Sequence, residues 1–474
     1  MKRMGISLSI AIAAMLTLAG CFSLAPNYSR PDAPVPEAWP SGEAYKNEPT
    51  KQPGNLAADV SWKNFFTDER LIKVIYLALN NNRDLKIAAL NIEKMRSQYQ
   101  IQRADLLPSV NATASGTAQE IPRPLSNKGQ SITTHQYGIS LGFSSYELDL
   151  FGRIRSLKDR ALEEFLATEE AHRSIHISLI AEVANSYMTL AADKERLKIA
   201  KDTLENRQAS YNLIKRRFEA GASSELDLRQ GQTAVDSARV DVARFKSLAA
   251  QDENALALVV GSYLPPELLP SGLSQIAEFK ELSAGLPSEV LQRRPDIMQA
   301  EHLLKASNAN IGAARAAFFP RIALTTSIGL ASDQLSTLFN GINEAWSFAP
   351  QITMPIFDSG RIRANARVTE IDRQIFLSRY EKAIQTAFRE VADALAQRGT
   401  LGDQLAAQQS LVESSAASYR LSDVRYKNGI DSYLTVLDSQ RSLYNAQQGL
   451  IAIRLSGITN LVTLYKALGG GTEK

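Results

Sequence analysis

The spacing of apolar residues predicts two very long helices. Residues 153–219 and 361–427 contain no proline, and their apolar side chains recur at helical spacing. In the first stretch an apolar or aromatic residue returns every seven positions, at Val183, Leu190, Leu197, Leu204, Tyr211 and Phe218. A sustained period of seven is typical of helices that pack side by side. Each stretch, at about 67 residues, predicts a helix on the order of 100 Å long.

Further helices are predicted before and after the long ones. Apolar positions at helical spacing predict a helix over residues 64–105, and Pro108 follows it. Gly221 and Gly429 are predicted to end the long helices, because glycine adopts the left-handed terminal conformation without steric cost. Each long helix is then followed by a returning helix with a serine N-cap and a glycine end: Ser224 and Gly261 in the first, Ser432 and Gly469 in the second.

Other segments alternate large apolar residues with small or polar ones, which predicts strands. Such runs are residues 137–144, residues 322–330, and a third in which large residues recur from Phe348 to Met354. Alternation over about ten residues suits a strand of an outer-membrane barrel. A half-buried strand in a soluble sandwich alternates in the same way, so the pattern alone leaves both interpretations open.

The chain is an internal duplication. The motif GRIR occurs at 152–155 and at 360–363, and residues 216–228 are similar to residues 424–436, both at an offset of 208. A related pair, RADLLPSV at 103–110 and RAAFFPRI at 315–322, lies at an offset of 212. Each half is therefore predicted to contain two strands, one long helix and one returning helix. A duplication of this kind makes the number of strands per chain four.

The repeat defines the predicted organisation of the whole chain. It consists of a signal peptide (1–20), an extended proline-rich arm (21–61), a first repeat (62–261), a connector (262–286), a second repeat (287–470) and a short tail (471–474).

The N-terminus has the pattern of an export signal. Lys2 and Arg3 precede an apolar run over residues 6–18, which is too short to span a bilayer. The run ends in Leu-Ala-Gly-Cys at 18–21, which resembles the lipobox of bacterial lipoproteins. The resemblance implies cleavage before Cys21 and an N-acyl and S-diacylglycerol anchor on it. Phe22 in place of aspartate points, in such lipoproteins, to the outer membrane. The alternative is an ordinary secretory signal in which Cys21 is incidental.

Composition excludes several classes of function. The chain has 474 residues, with 53 Lys and Arg against 50 Asp and Glu, a balance that argues against a nucleic-acid binder. A single cysteine excludes an internal disulfide framework, and four histidines leave little material for a metalloenzyme. His172 and His176 have the i, i+4 spacing of a metal pair, but no glutamate lies between them, and a solvated helix face explains them better. We therefore expect no metal, no cofactor other than the lipid, and no enzymatic activity.

Four strands cannot form a closed membrane-spanning sheet. No later segment has 18 or more consecutive apolar residues, so any further membrane crossing must be made by strands. Roughly eight strands are the minimum for a barrel, and open edges in lipid leave costly unsatisfied backbone groups. Two copies of the chain would supply eight strands and three copies twelve. The long helices favour three, because a ring of twelve helices, two long and two returning helices from each chain, can form a hollow wall, although two copies remain arithmetically possible.

Several motifs resemble those of the outer-membrane efflux channels of the OprM/TolC family. They are the lipobox, the two-copy layout, ELDLFGRIR at 147–155, LDLRQ at 226–230, QRRPDI at 292–297, YEKAIQTAFREVADAL at 380–395 and LTVLDSQRSLYNAQQ at 434–448. The resemblance implies an α+β membrane protein: a homotrimer in which a twelve-stranded transmembrane β-barrel continues into a twelve-helix periplasmic α-barrel, lipid-anchored in the outer membrane of a Gram-negative bacterium.

The resemblance also implies a function and partners. Channels of this family carry drugs and toxic compounds outward, together with a periplasmic adaptor and an inner-membrane pump of the resistance-nodulation-division class. An exit duct for type I protein secretion has the same fold and is the alternative function. A periplasmic adaptor is a further rival, but adaptors lack a repeated pair of strands.

In this family the periplasmic end closes where the returning helices of the second repeat converge. The matching residues are Leu434, Asp438 and Arg441, which share one helix face at i, i+4 and i+7. Tyr426 resembles a family tyrosine that helps to hold this gate closed. The turns at Gly221 and Gly429 are expected at the tip where the adaptor docks. A competing interpretation is that Asp438 and Arg441 form an ordinary exposed ion pair.

Overall fold

A computed structural model describes residues 23–45, 60–127, 129–275, 291 and 293–470 of the chain. Its helices are α1 Trp62–Phe65, α2 Glu69–Asn81, α3 Arg83–Ala104, α4 Arg153–Glu219, α5 Glu225–Val260, α6 Pro295–Ala316, α7 Arg361–Lys427 and α8 Tyr433–Ala467. Its strands are β1 Asn111–Ile121, β2 Ile132–Leu148, β3 Arg321–Ser332 and β4 Glu344–Thr353. Cys21 and the predicted signal peptide lie outside the described residues.

The described residues form two compact units. One comprises the described part of the chain up to Pro31 with Ile92–Thr168 and Ala300–Tyr380, and it contains all four strands. We call it the sheet unit. The other, the helical unit, comprises the described parts of Asp32–Asn91, Glu169–Gln299 and Glu381–Lys474. The domain boundaries inferred from the sequence stay a prediction.

The four strands form one antiparallel sheet in the order β1-β2-β3-β4. This arrangement confirms the prediction of four strands in the chain. Glycines allow β2 and β3 to approach closely. A Cβ added at Gly142 would lie 2.1 Å from the backbone oxygen of Thr326, and one at Gly329 would lie 2.0 Å from that of Ile139. Larger residues at these two positions are therefore incompatible with this pairing.

The long helices confirm the duplication. Helices α4 and α7 both have 67 residues, and they begin and end at positions 208 residues apart. Helices α5 and α8 also begin 208 residues apart, and the glycines that follow them, Gly261 and Gly469, both have φ of 75°. Two copies of one sequence pattern have thus produced two copies of one helical hairpin.

The helix predicted over residues 64–105 is wrong in detail, because three helices occupy this stretch. Asp68 makes the first break. Its side chain caps α2 by accepting hydrogen bonds from the backbone N–H groups of Arg70 and Leu71. Asn82 makes the second break. Its side chain accepts from the N–H of Leu85 at 2.9 Å and donates to the carbonyl oxygen of Val259 at 2.7 Å. Side-chain caps offer the backbone an alternative to helical hydrogen bonds.

The core of the helical unit is aromatic at one end. The rings of Phe65 and Tyr465 stack with 4.2 Å between centroids, and Trp62 is fully buried nearby in the same cluster. The hydroxyl of Tyr465 donates to the carbonyl oxygen of Val60 at 2.6 Å. Burying each of these large side chains contributes about 1.5–3 kcal/mol. This core fixes the segment after residue 60 against the end of α8.

In the sheet unit the early part of the chain packs along α6. Asn308 donates from its side-chain amide to the carbonyl oxygen of Pro26 at 2.7 Å, and Arg30 pairs with the buried carboxylate of Glu301. Residues 23–31 contain no helix or strand, so their backbone relies on such contacts.

Across the described residues, none of the helices is both long enough and apolar enough to cross a membrane.

Candidate functional site

The two turns predicted at the tips of the hairpins have the same geometry. Gly221 and Gly429 both have φ of 73°, as predicted for glycines that end long helices. After each glycine the chain makes a backbone hydrogen bond back to the helix, from Ala222 to Arg217 at 2.7 Å and from Ile430 to Arg425 at 2.9 Å. These bonds satisfy carbonyl groups that the end of a helix otherwise leaves unpaired.

The serines that begin the returning helices differ in what they do. Ser224 caps α5 as predicted, and with Asp227 it forms a reciprocal capping box. Ser432 occupies the equivalent place before α8, but its side chain makes no capping hydrogen bond. The start of α8 is fixed instead by an ion pair across the turn. Arg425 donates to both carboxylate oxygens of Asp431, at 2.6 and 2.9 Å, and this bond holds the pKa of Asp431 below its usual range.

The gate residues predicted from the sequence lie together on the exposed side of α8. Leu434 is 48% exposed, and the side chains of Asp438 and Arg441 are 60% and 65% exposed. A guanidinium nitrogen of Arg441 lies 2.7 Å from a carboxylate oxygen of Asp438. The exposed ion pair of the competing interpretation is therefore present.

The opposite side of α8 is buried. Tyr433, Val436 and Gln440 are each less than 9% exposed. Tyr433 and Val436 form an apolar cluster with Ile214 of α4, and Tyr419 and Tyr426 of α7 pack against it. Burial raises the pKa of Tyr433 to about 12, so its hydroxyl stays neutral at physiological pH. The exposed gate face is thus backed by a packed surface contributed by the neighbouring helices.

Tyr426 belongs to this backing rather than to the exposed face. Its ring lies 5.3 Å from that of Tyr433, and the guanidinium of Arg217 lies 5.3 Å from the ring centre of Tyr426. Burial raises the pKa of Tyr426, while Arg217 opposes that rise. A cation over an aromatic ring stabilises such a contact by about 0.5–1 kcal/mol at exposed sites. Tyr426 therefore connects the end of α7 to the end of α4 and the start of α8.

Sequence reasoning missed Arg207, which is buried beside the gate segment. This residue of α4 is 7% exposed, and it donates to the side-chain oxygen of Gln440 at 3.3 Å and to the carbonyl oxygen of Ala234 at 3.0 Å. One charged residue inside a long polar helix gives no sequence signal of burial. The sequence offers one clue. The equivalent position in the second half, 208 residues later, is Ser415, so the arginine is not part of the repeated pattern.

The sheet has one apolar face and one face of small or polar residues. The register places these large side chains on the same face: Ile139, Leu141, Phe143, Ile322, Leu324, Ile328, Leu330, Trp346, Phe348 and Ile352. The opposite face carries Gly138, Ser140, Gly142, Ala323, Thr325, Ser327, Gly329, Ala345, Ser347 and Ala349. Six of these apolar residues are exposed within the chain, among them Trp346, which is 79% exposed, and the other four are half-buried. An uncovered apolar face of this kind needs lipid or protein to cover it.

The histidine pair noted in the sequence lies on α4. Burial lowers the pKa of His172, and no group of three or more potential ligands occurs among the described residues.

Comparison with known proteins gives a family match over most of the chain. The family model described as "Outer membrane efflux protein" matches residues 74–262 and 286–470. The "Probable efflux pump outer membrane protein TtgC" of Pseudomonas putida is 50% identical over 464 residues, which cover 98% of this chain and 95% of that protein. The "Outer membrane protein OprJ" of Pseudomonas aeruginosa is 43% identical, with 98% and 96% covered.

Solved structures agree with this match. The open state of the Neisseria gonorrhoeae MtrE outer membrane channel is 38% identical, with a TM-score of 0.84. The match covers 95% of this chain and 98% of that one. A membrane protein from Pseudomonas aeruginosa is 42% identical with a TM-score of 0.88, and the match covers 95% of this chain and 98% of that one.

Proposed function

Because this chain belongs to the outer membrane efflux protein family, we propose that it is the outer-membrane exit channel of a tripartite efflux pump. It conducts drugs and other toxic compounds passively from the periplasm to the exterior. The names of its relatives favour this function over type I protein secretion, since they describe efflux of antibiotics, toluene and other solvents. The pump and the adaptor supply energy and select substrates, and the channel supplies the path.

The two faces of the sheet carry the proposal. Alternation of large apolar and small polar residues on a four-stranded sheet is what a wall between lipid and water requires. The apolar face contacts lipid, and the small, polar face lines the path. β1 and β4 are the edges of the sheet within one chain. In lipid each unsatisfied backbone group at an edge costs several kcal/mol, so the edges pair with those of neighbouring copies.

Three copies close the sheet into a twelve-stranded barrel, and the two helical hairpins of each chain, four helices per copy, form a twelve-helix tunnel. Closed rotational symmetry is the usual way in which identical subunits complete one another. Native mass spectrometry of the detergent-extracted protein is expected to show three copies. A species of two copies only would contradict this assembly.

The periplasmic gate is formed by the exposed face of α8. Around a three-fold axis, three copies of Asp438 stand close together, and Leu434 adds an apolar block one turn away. Like charges at short distance repel one another, and here Arg441 of the same chain offsets part of that repulsion. A gate of this kind is held closed by a small margin, which suits a channel that opens when partners bind.

The tips of the hairpins receive the adaptor. The turns at Gly221 and Gly429 end adjacent pairs of helices, and grooves between helical hairpins accommodate another helical hairpin. The inner-membrane pump, of the resistance-nodulation-division class, then delivers its substrates through the adaptor. At the other end, a lipid on Cys21 anchors the extended arm in the outer membrane.

Gene deletion tests the proposed function. Loss of the gene is expected to increase sensitivity to antibiotics and solvents, and to leave protein secretion unchanged. A plasmid copy of the wild-type gene should restore resistance. Normal drug tolerance together with a secretion defect would contradict the efflux function and support the secretion duct.

A further inference from the structure

Arg207 is a buried cation with an unusual set of neighbours. It is 7% exposed on α4, and its partners are an amide oxygen, a backbone carbonyl oxygen and an aromatic ring. Across the described residues no carboxylate lies within ion-pair distance of its guanidinium. The nearby carboxylate of Asp241 favours the charge through space, but burial outweighs it and lowers the pKa of this guanidinium. Such a residue calls for an explanation other than stability.

The position of Arg207 supplies that explanation. Its Nε donates to the side-chain oxygen of Gln440 at 3.3 Å, and its guanidinium carbon lies 5.9 Å from the ring centre of Tyr444. Both partners are on α8. Gln440 stands between Asp438 and Arg441 in sequence, but it is 8% exposed whereas they face outward. Arg207 therefore holds α8 from behind, at the level of the gate residues.

The same guanidinium is fixed to the first hairpin on its other side. A terminal nitrogen donates to the carbonyl oxygen of Ala234 on α5 at 3.0 Å. Arg207 and Gln440 thus join three helices, α4, α5 and α8. Hydrogen bonds to a charged group are about twice as strong as neutral ones.

The equivalent pair of residues in the duplication does not make this connection. The residues 208 positions from Arg207 and Gln440 are Ser415 and Gln232. Gln232 donates to Asp236 of its own helix at 2.9 Å instead of accepting from another helix. The arginine anchor therefore belongs to the returning helix that carries the gate residues, and it is absent at the equivalent place on α5.

We propose that the arrangement of α8 described here is the closed one, and that Arg207 is a positioning residue of the gate, which holds α8 in that arrangement through Gln440 and releases it when the channel opens. This inference rests on the proposed function of α8 as the gate. Because the bond is to a neutral amide rather than a carboxylate, it is strong enough to favour the closed arrangement and weak enough to be broken by a docking partner.

Single-channel recording in planar bilayers tests the proposal in two directions. Loss of a hydrogen bond to a charged group shifts a two-state equilibrium by about tenfold or more, so Arg207→Ala should increase the ratio of open to closed time by about that factor. Gln440→Glu gives Arg207 a carboxylate partner and should lower the same ratio below that of the wild type. Arg207→Lys should fall between wild type and Arg207→Ala.

Matched controls separate this effect from a loss of folding. Arg239→Ala removes an exposed arginine of α5 that pairs with Asp236, and it should leave the ratio unchanged. A melting temperature of the assembled protein is measured for each variant. The lowered ratio in Gln440→Glu cannot arise from unfolding, so it keeps the proposal testable if Arg207→Ala is unstable.

Asp438→Ala, recorded in the same bilayers, distinguishes the two proposals. If Asp438→Ala opens the channel while Arg207→Ala and Gln440→Glu both match the wild type, the role of Arg207 is wrong and the gate stands. If Asp438→Ala, Leu434→Ala, Arg207→Ala and Gln440→Glu all match the wild type, the gate itself is wrong and the inference falls with it.

Discussion

Asp438 and Arg441 form an ion pair on the exposed side of α8, with 2.7 Å between a guanidinium nitrogen and a carboxylate oxygen. They are three residues apart on one helix. Each chain therefore places a positive charge of its own beside the negative charge of Asp438. Both side chains are more than half exposed, and such a pair stabilises a single chain by at most about 1 kcal/mol. In the proposed trimer three such pairs face one another around the axis, and the proposed role of the pair lies there.

Shortening the gate side chains should open the channel. Asp438→Ala and Leu434→Ala are each expected to raise the conductance of single channels in planar bilayers, because each removes part of the constriction. Leu226→Ala is the matched control, since Leu226 is the counterpart of Leu434 in the first half and is 65% exposed. Unchanged conductance in both gate variants would remove the assignment of these residues.

Substitution by alanine should destabilise the protein at the two turn glycines and stabilise it at a glycine inside a helix. Gly429→Ala and Gly221→Ala are expected to destabilise the protein by about 1–2 kcal/mol, since an alanine at φ of 73° is strained although no atom lies within 4 Å. Gly402, inside α7, also has open space around it, so Gly402→Ala should stabilise by up to about 1 kcal/mol. Thermal unfolding measures all three, and equal effects at 402 and 429 would contradict the turn geometry.

Adjacent residues of β4 should differ in their tolerance of charge. Phe348 is 60% exposed on the apolar face, in the middle of β4, and Ala349 lies on the opposite face. A lysine facing the middle of the membrane costs about 2–4 kcal/mol, whereas a lysine facing water costs little. Phe348→Lys is therefore expected to reduce the amount of assembled protein in outer-membrane fractions, and Ala349→Lys to preserve it. The reverse order would show that the apolar face is not the lipid face.

A close pair of aspartates in the helical unit, Asp193 and Asp252, should make stability depend on pH. Burial, together with the adjacent carboxylate of Asp193, raises the pKa of Asp252 to about 6 from an ordinary value of 3.8. The folded protein thus binds this proton more tightly than the unfolded chain, so stability falls as the pH rises from about 4 to about 6 and then levels off. Arg196, which pairs with Asp193 at 2.6 Å, reduces the effect without abolishing it.

Asp252→Asn removes the titrating group and should raise the melting temperature more at pH 7.5 than at pH 4.5. Asp236→Asn is the control, because Asp236 is on the same helix, is exposed and pairs with Arg239. The control should keep the pH dependence of the wild type. An equal gain for Asp252→Asn at both pH values would show that Asp252 is ionised throughout.

The long helices could be predicted from the sequence to the residue. Each long helix ends just before a glycine that adopts the left-handed conformation. The two copies of the repeat, at a constant offset, support the same helix ends. The same periodicity failed at residues 64–105, because Asp68 and Asn82 form caps there through contacts with the backbone. Nothing in the spacing of apolar residues records such caps.

The strands and the gate were predictable to different degrees. The alternation of large and small residues predicts β2 and β3. Strand β1, by contrast, is mostly small and polar, with Ile121 as its one large apolar residue, and it is identified by pairing with β2 rather than by its own pattern. The shared face of Leu434, Asp438 and Arg441 followed from helical spacing. The support behind it, from Arg207 and Ile214, depends on contacts between residues more than two hundred positions apart.

The central claim is that compounds leave the cell through a path that α8 can close. The most direct measurement is the outflow of a fluorescent dye from preloaded cells whose channel carries Asp438→Cys, with Gln230→Cys, the counterpart in the first half, as control. We predict that oxidation, by cross-linking neighbouring copies at the gate, stops outflow in the Asp438→Cys cells and that a reductant restores it. Outflow at the wild-type rate from cells in which gels show the subunits to be cross-linked would contradict the account.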